Sequence, residues 1–370
     1  MSGALAAHRP TVQADTIRVM LCDDSAVARG ALARLLARDA AIRVVAQAAD
    51  GQQAVTALST MAAAERPEVV LLDLEMPVMD GLTALPLILR AAPGSAVIVA
   101  SALSQRGAAA TMAALRAGAV DYVPKPTATQ GGMADPRFGE ELRAKVTGWA
   151  RMRRKPAAAP AMLARPAVAA PRPGRVAAPK ATAIGSSTGG PQALATLVGT
   201  LTRPPPVPVL VVQHMPAGFT ALLADHLNRL GRLPCAEAKD NEALRPGRLY
   251  LAPGDRHLLV RETAAGLVAQ LSDGPPENYC RPAVDPLLRS LVAVCGGRVA
   301  AAILTGMGQD GLEGCRALAR AGGAILAQDE ASSVVWGMPG AVARAGLASA
   351  LLPPDEIAAR LLAACTPGGV

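Results

Sequence analysis

Three stretches of this chain carry residue types that together can transfer an acyl group. In A-I-G-S-S-T-G-G-P, Ala183–Pro191, Ser187 stands in a G-x-S-x-G frame between a strand-like apolar run and a helix-like run. A sharp strand-to-helix turn lifts a hydroxyl clear of the sheet and sets backbone N–H groups beside it, which suits a nucleophile and an oxyanion hole. A Gly/Ser-rich turn of this kind also cradles phosphate, so the frame alone leaves both chemistries open. His214 follows an apolar run in V-V-Q-H-M-P, and Asp310 lies in I-L-T-G-M-G-Q-D-G-L. A hydroxyl is a weak nucleophile at neutral pH: it needs an imidazole to take its proton and a carboxylate to hold that imidazole in one tautomer. The chain order Ser–His–Asp differs from the familiar hydrolase orders, so this would be a further convergent arrangement.

Each residue also has a structural reading. A lone His after an apolar strand is commonly a satisfied core residue. Asp310 is placed to cap a helix over Gly311–Ala321, and Asp285 in R-P-A-V-D-P is the rival carboxylate. Of the other histidines, His8 falls in an expected N-terminal tail, His226 in an amphipathic helix and His257 at the start of a hairpin strand. Cys280 is a candidate thiol nucleophile, but no nearby histidine or helix N-terminus marks it as activated.

A second set of polar residues lies in the first third of the chain. Asp23 and Asp24 follow the run I-R-V-M-L-C, Asp73 ends E-V-V-L-L-D, Ser101 ends A-V-I-V-A-S, and Lys125 follows A-V-D-Y-V. Three carboxylates at one sheet edge repel one another and favour a hard cation with oxygen ligands, Mg²⁺. With the metal bound, one carboxylate can attack phosphorus, while an ammonium and a hydroxyl hold the phosphoryl oxygens. Taken singly, these Asp residues also suit helix caps and strand-end turns.

Strand-like and helix-length segments alternate five times from Ile17, with amphipathic stretches near Ala26–Ala37, Gly51–Ala62, Leu82–Arg90 and Gly107–Ala117. That alternation predicts a doubly wound parallel (βα)5 sheet of flavodoxin-like type, with ligands at the carboxyl ends of its strands. Strand-like runs return after residue 180, predicting a second α/β domain with a mostly parallel sheet and a hairpin formed by H-L-L-V and L-V-A-Q-L. A length of 370 residues fits two domains. The expected division is a tail at 1–16, a first domain at 17–145, a linker at 146–179 and a second domain at 180–365.

The net charge is +8. Eight Lys/Arg and no Asp/Glu lie between Arg151 and Lys180, in Ala/Pro-rich sequence suited to a semi-extended tether. The basicity therefore belongs to the linker. Nucleic-acid binding is not expected: no helix-turn-helix with a basic recognition helix, no G-K-[ST] of a phosphate loop and few aromatics are present. No run reaches the length of a membrane span, no secretory signal is visible, and six scattered cysteines read as reduced thiols of a cytoplasmic protein.

These motifs carry two resemblances. L-C-D-D-S at Leu21–Ser25, L-L-D-L-E-M-P-V-M-D-G at Leu71–Gly81 and Y-V-P-K-P at Tyr122–Pro126 resemble the receiver domain of two-component response regulators over about Ile17–Lys145. The resemblance implies Asp73 as phosphoacceptor and Mg²⁺ held by Asp23, Asp24, Asp73 and the backbone carbonyl of Glu75. Ser101, Lys125 and Tyr122 are then the switch hydroxyl, lysine and aromatic. From about Lys180 to Leu362, the blocks A-I-G-S-S-T-G-G-P, Q-H-M-P, A-P-G, R-P-A-V-D, L-T-G-M-G-Q-D-G and A-Q-D-E-A-S-S-V-V-W-G-M-P resemble the catalytic domain of chemotaxis protein-glutamate methylesterases.

That second resemblance implies Ser187 as nucleophile, His214 as general base and then acid, and Asp310 as its orienter. The oxyanion hole would come from N–H groups near Thr188 and Met307, and the esterase would need no cofactor. The implied substrates are γ-glutamyl methyl esters and glutamines of methyl-accepting chemotaxis receptors, the implied phosphodonor is a chemotaxis histidine kinase, and the expected state is a monomer. Two departures, Cys280 before R-P-A-V-D and Leu287–Leu288 after it, are expected near the substrate groove. The unphosphorylated receiver is expected to pack over the Ser187 cleft, with phosphorylation of Asp73 loosening it.

Overall fold

The first domain, in a computed structural model describing residues 16–102, 104–125, 132–154 and 178–365, alternates strand and helix throughout. Its elements are β1 (Ile17–Cys22), α1 (Ala26–Leu36), β2 (Ile42–Ala48), α2 (Gly51–Thr60), β3 (Val69–Asp73), α3 (Gly81–Ala91), β4 (Ala96–Ser101), α4 (Gln105–Arg116), β5 (Asp121–Pro124) and α5 (Pro136–Arg154). The five strands pair in parallel in the order β2-β1-β3-β4-β5. β3 reads V-V-L-L-D without a polar break and is buried at every position, as a strand covered by helices on both faces must be. Ser25, Asp50, Asp80 and Ser104 cap α1 to α4, each accepting from a backbone N–H three residues on. Other side chains thus hold the caps, which leaves Asp23 and Asp73 at the strand ends for other work.

The expected boundary at 145 is corrected. α5 continues to Arg154, because Leu142, Val146, Trp149 and Ala150 recur at helical spacing and are all buried. Arg151, Arg153 and Arg154, assigned above to the basic tether, are the last turn of this helix. Arg154 pairs with Glu68, and Arg151 donates to the Ser333 carbonyl at 2.6 Å. The rest of the expected tether, 155–177, and the tail at 1–15 with His8 lie outside the described residues.

The second domain contains β6 (Ala181–Ser186), α6 (Gly190–Thr200), β7 (Val209–Gln213), α7 (Phe219–Arg229), β8 (Cys235–Glu237), β9 (Leu249–Leu251), β10 (His257–Thr263), β11 (Gly266–Ser272), α8 (Val284–Cys295), β12 (Val299–Ile303), α9 (Leu312–Arg320), β13 (Ala324–Gln328), α10 (Met338–Arg344), β14 (Ala350–Leu352) and α11 (Pro354–Ala364). Seven strands pair in parallel in the order β14-β13-β12-β6-β7-β9-β8. β10 and β11 form the expected hairpin as a separate antiparallel pair. The chain starts in the middle, builds outward from β6 to β7 and β9, then returns to β12 on the other side. The strand order therefore reverses between β6 and β12, and it is at such a switch point that loops part to form a crevice. Among the described residues, no helix is long and apolar enough to cross a membrane.

Candidate active site and its domain interface

Ser187 leaves the end of β6 at that switch point, beside the loop after β12 and the loop after β7. Its N–H donates to the Thr305 carbonyl at 3.0 Å. Gly306 approaches so closely that a Cβ there would sit 2.8 Å from Ser187 Cβ, so only glycine lets the loop bearing Met307 and Asp310 lie against the serine. Ser186 ↔ Gln213 is the last register pair of β6 and β7, which sets Ser187 and His214 side by side at the ends of neighbouring strands. The two adjacent serines differ in freedom. Ser186 is fully buried and its hydroxyl donates to Gln213 Oε1 at 2.7 Å, whereas Ser187 is half-buried with no side-chain hydrogen bond among the described residues.

His214 Nε2 lies 2.7 Å from Asp310 Oδ2. Asp310 is buried and collects further donors: the Val284 N–H at 2.6 Å on Oδ2, and on Oδ1 the N–H groups of Gly311 at 2.9 Å and Asp285 at 3.2 Å. Burial alone would raise its pKa, but the His214 hydrogen bond and charge and these N–H groups outweigh it and hold the carboxyl below its ordinary range. Burial pulls His214 down, yet the Asp310 bond, the Cys280 contact and the Asp310 charge lift the ring to about 10. Asp310 does not cap the next helix, since α9 begins after Gly311 with no side-chain cap.

The rival Asp285 is not on the imidazole. Its Oδ1 accepts the Gly314 N–H at 2.7 Å, and burial together with the neighbouring Asp310 charge raises its pKa to about 6. His257 is bonded on both ring nitrogens, to the Pro275 carbonyl at 3.0 Å and the Ala283 N–H at 3.2 Å, and is structural.

The N–H groups of Thr188 and Met307 have no protein acceptor among the described residues. Two expectations fail. Leu287 and Leu288 are fully buried in the core beneath α9 and line no groove, because they fall on the inward face of α8. Cys280 does have a histidine beside it: its Sγ lies 3.3 Å from His214 Nδ1, a contact made between residues 66 apart in the chain and invisible to local spacing. Asn278 was also missed. Its Nδ2 donates to Asp310 Oδ1 at 3.1 Å and Asp285 Oδ2 at 3.0 Å, and an Asn before an aromatic is a turn signal with no chemical label of its own.

In the first domain, carboxylate oxygens of Asp23, Asp24 and Asp73 lie within 4.8 Å of one another. Lys125 Nζ lies 2.6 Å from Asp73 Oδ2 and 2.9 Å from Asp23 Oδ2. Lys125 thus bridges two buried carboxylates, and among the described residues Asp23 Oδ2 has no further donor. Burial outweighs Lys125 at Asp73 and raises its pKa. Three carboxylates converging this closely, with a single ammonium between two of them, are a donor set that fits a hard cation. Glu75 sits one turn on, its N–H donating to Asp73 Oδ1 at 3.2 Å. The Ser101 hydroxyl is bonded to Thr111 of α4 at 2.6 Å.

The two domains meet over the active site. The Tyr122 ring stacks on Phe219, five residues after His214, with centroids 5.5 Å apart. Asp121 Oδ2 accepts both the Trp149 indole N–H at 3.1 Å and the Gly189 N–H of the nucleophile turn at 3.2 Å. Gly148 lies against Val334, where a Cβ would meet the Val334 carbonyl oxygen at 2.2 Å. The Arg137 guanidinium sits 5.5 Å from the Tyr279 ring centroid.

Each domain resembles known proteins. Residues 182–361 match the family model for CheB methylesterase, and residues 19–134 match the response regulator receiver domain. The chain is 51% identical over 365 residues to a protein-glutamate methylesterase/protein-glutamine glutaminase of Azospirillum brasilense, covering 93% of this chain and 91% of that one. It is 48% identical over 379 residues to another of Paramagnetospirillum magneticum, covering 96% and 97%. Among solved structures, the Thermotoga maritima CheB methylesterase catalytic domain is 39% identical, covers 50% of this chain and 98% of that chain, and superposes with a TM-score of 0.49.

Proposed function

This chain belongs to the CheB methylesterase family, and from that membership we propose that it is a phosphorylation-regulated hydrolase of γ-glutamyl methyl esters on methyl-accepting chemotaxis receptors, with glutamine deamidation as the parallel reaction. The observation that carries the reading is the His214–Asp310 pair at 2.7 Å beside Ser187, whose hydroxyl has no partner among the described residues. Ser187 Oγ attacks the ester carbonyl and gives its proton to His214 Nδ1. The carbonyl oxygen becomes an oxyanion facing the Thr188 and Met307 N–H groups, where each donor is worth about 3 kcal/mol. Collapse expels methoxide, which takes the proton from His214 and leaves as methanol; ammonia leaves instead when the substrate is glutamine. Water, deprotonated by His214, then cleaves the acyl-enzyme and restores Ser187.

Asp73 is the proposed phosphoacceptor, supplied by a chemotaxis histidine kinase. Asp23, Asp24, Asp73 and the Glu75 carbonyl would hold Mg²⁺, which when bound offsets the charge gathered on the carboxylates and the phosphoryl group. Lys125 is within reach of the oxygens that the phosphoryl group would occupy, and Ser101 would turn from Thr111 toward it. Tyr122 already lies in the domain interface against Phe219, so a rearrangement at β5 acts directly on the covering of the cleft. Phosphorylation adds up to about −2 charge beside that strand, which biases a two-state interface. A monomer acting in the cytoplasm fits this reading.

Methanol release from methylated receptor membranes tests it. The full chain should release methanol, faster with a small-molecule phosphodonor and Mg²⁺; no release under either condition sinks the esterase reading. A 178–370 fragment no more active than the unphosphorylated full chain would sink the inhibitory role of the receiver.

A further inference from the structure

Residues 277–280 reach the His–Asp pair from outside the sheet. Glu277 and Cys280 exchange backbone hydrogen bonds of 3.1 and 2.8 Å, and the central residues Asn278 and Tyr279 have φ of 51° and 63°. Positive φ at both positions is the signature of a tight two-residue hairpin turn of the primed kind. Asn tolerates it, whereas a bulky Tyr does not do so cheaply, and such a conformation next to an active site invites the question of what it positions. The turn sends three successive side chains to three places. Asn278 bonds Asp310 and Asp285, Tyr279 is 85% exposed beneath Arg137 of the receiver, and Cys280 reaches His214 Nδ1.

The last contact conflicts with catalysis. Asp310 occupies Nε2, so Nδ1 is the ring nitrogen left to take the Ser187 proton. In this structure Nδ1 faces the Cys280 sulfur at 3.3 Å, and no hydrogen bond joins it to Ser187 among the described residues. Resting on the esterase reading, we infer that Cys280 is a positioning residue that parks His214: its thiol engages Nδ1 while the receiver is docked, and the base is released to Ser187 when the 277–280 turn shifts.

The proton balance is simple. The ring takes its second proton from solvent, and the resulting Nδ1–H donates to the Cys280 sulfur, whose own S–H bond stays intact. A ring already carrying that proton cannot accept one from serine. The groups facing His214 are Asp310 from the loop after β12 and Cys280 from the turn, with Asp285 one step behind through Asn278. Against the downward pull of burial, Asp310 and Cys280 together hold the ring protonated. Asp310 must stay for catalysis; Cys280 is the part of this set that the reaction does not use. The Arg137–Tyr279 contact links the turn to the receiver, so undocking removes a support from the same turn.

The test is Cys280→Ala in the full unphosphorylated chain, read in two ways. With ¹⁵N-histidine labelling, the chain's four histidines allow His214 to be assigned against a His214→Gln control. The ring should then titrate about one pH unit lower or more in the variant, with a changed Nδ1 signal. The acid limb of kcat/KM on methylated receptor membranes should move down equally, a gain of roughly tenfold at fixed pH below the limb, with KM unchanged. A packing role predicts the opposite, a lower kcat with the limb in place. An unchanged ring titration overturns the proposal. Absence of methanol release from wild type and variant alike would instead defeat the esterase reading, while the titration still decides the role of Cys280. If the alanine variant melts early, Cys280→Val, which fills the site and offers no hydrogen-bonding atom, must show the same fall in ring pKa or the proposal fails.

Discussion

Asp121 of the receiver accepts a hydrogen bond from the Gly189 backbone N–H, two residues past Ser187, at 3.2 Å. The same oxygen holds the Trp149 indole, and the other oxygen lies 3.5 Å from buried Lys145 Nζ. One buried carboxylate therefore joins β5, α5 and the nucleophile turn. A carboxylate at the start of α6 also lies at the positive end of the helix, a favourable place for it. Because β5 leads directly to Lys125, the residue that contacts Asp73 and Asp23, the phosphoacceptor and the nucleophile turn lie only a few bonded or packed residues apart.

The interface has a point where it can be wedged open without touching either site. Gly148→Ala places a Cβ 2.2 Å from the Val334 carbonyl oxygen. Within α5 itself alanine is the better helix former, by about 1 kcal/mol. The receiver should therefore fold normally while docking loses about 1–3 kcal/mol to the clash. Basal methanol release by the unphosphorylated variant should rise roughly 5- to 150-fold, bounded by the rate of the 178–370 fragment. A variant with wild-type basal activity would show that docking does not limit the enzyme.

The two neighbouring serines should separate cleanly. Ser187→Ala should lower turnover by about 10⁶-fold with little change in melting temperature. Ser186→Ala removes a buried bond of 2.7 Å to Gln213 and should cost about 1 kcal/mol of stability while leaving most of the activity. Turnover and thermal melting measured on both variants check the assignment, and a reversed pattern would move the nucleophile.

Stability should depend on pH through His214. The folded ring holds its proton up to about 10, against an ordinary value of 6.5. A group that binds its proton more tightly in the fold stabilises fully below the unfolded value and loses that contribution as pH rises through the folded value. The melting temperature should thus decline between pH 6.5 and about 10, and His214→Gln should flatten that decline. A decline of equal size in the variant would assign it elsewhere.

The receiver chemistry can be read by fluorescence. Trp149 sits in the domain interface with 7% of its surface exposed. Adding Mg²⁺ and acetyl phosphate should shift its emission to longer wavelength as the interface wets. The shift should vanish with EDTA, with Asp73→Asn and with Asp23→Asn. Emission that responds equally in Asp73→Asn would uncouple the interface from that carboxylate.

Much of this protein is written in short stretches of sequence. Uninterrupted apolar runs such as V-V-L-L-D, separated by amphipathic segments, determine two α/β domains, because the crossover helices of a parallel sheet cover both faces of its central strands. Strand ends carry the polar residues, so Asp23, Asp73 and Lys125 in one half and Ser187, His214 and Asp310 in the other were legible as chemistry before any coordinates. The end of the first domain was not, since the basic residues of α5 mask the buried face that Leu142, Val146, Trp149 and Ala150 make only when wound into a helix. Nor could spacing tell that Cys280 would reach His214, or that Asn278 would reach Asp310. Those contacts span 66 and 32 residues and depend on a tight turn folding back over the sheet. The same holds for Asp121 and Gly189. Local patterns specify what each strand end can do, while hydrogen bonds between distant segments, formed only when both domains have packed, decide which of those groups meet.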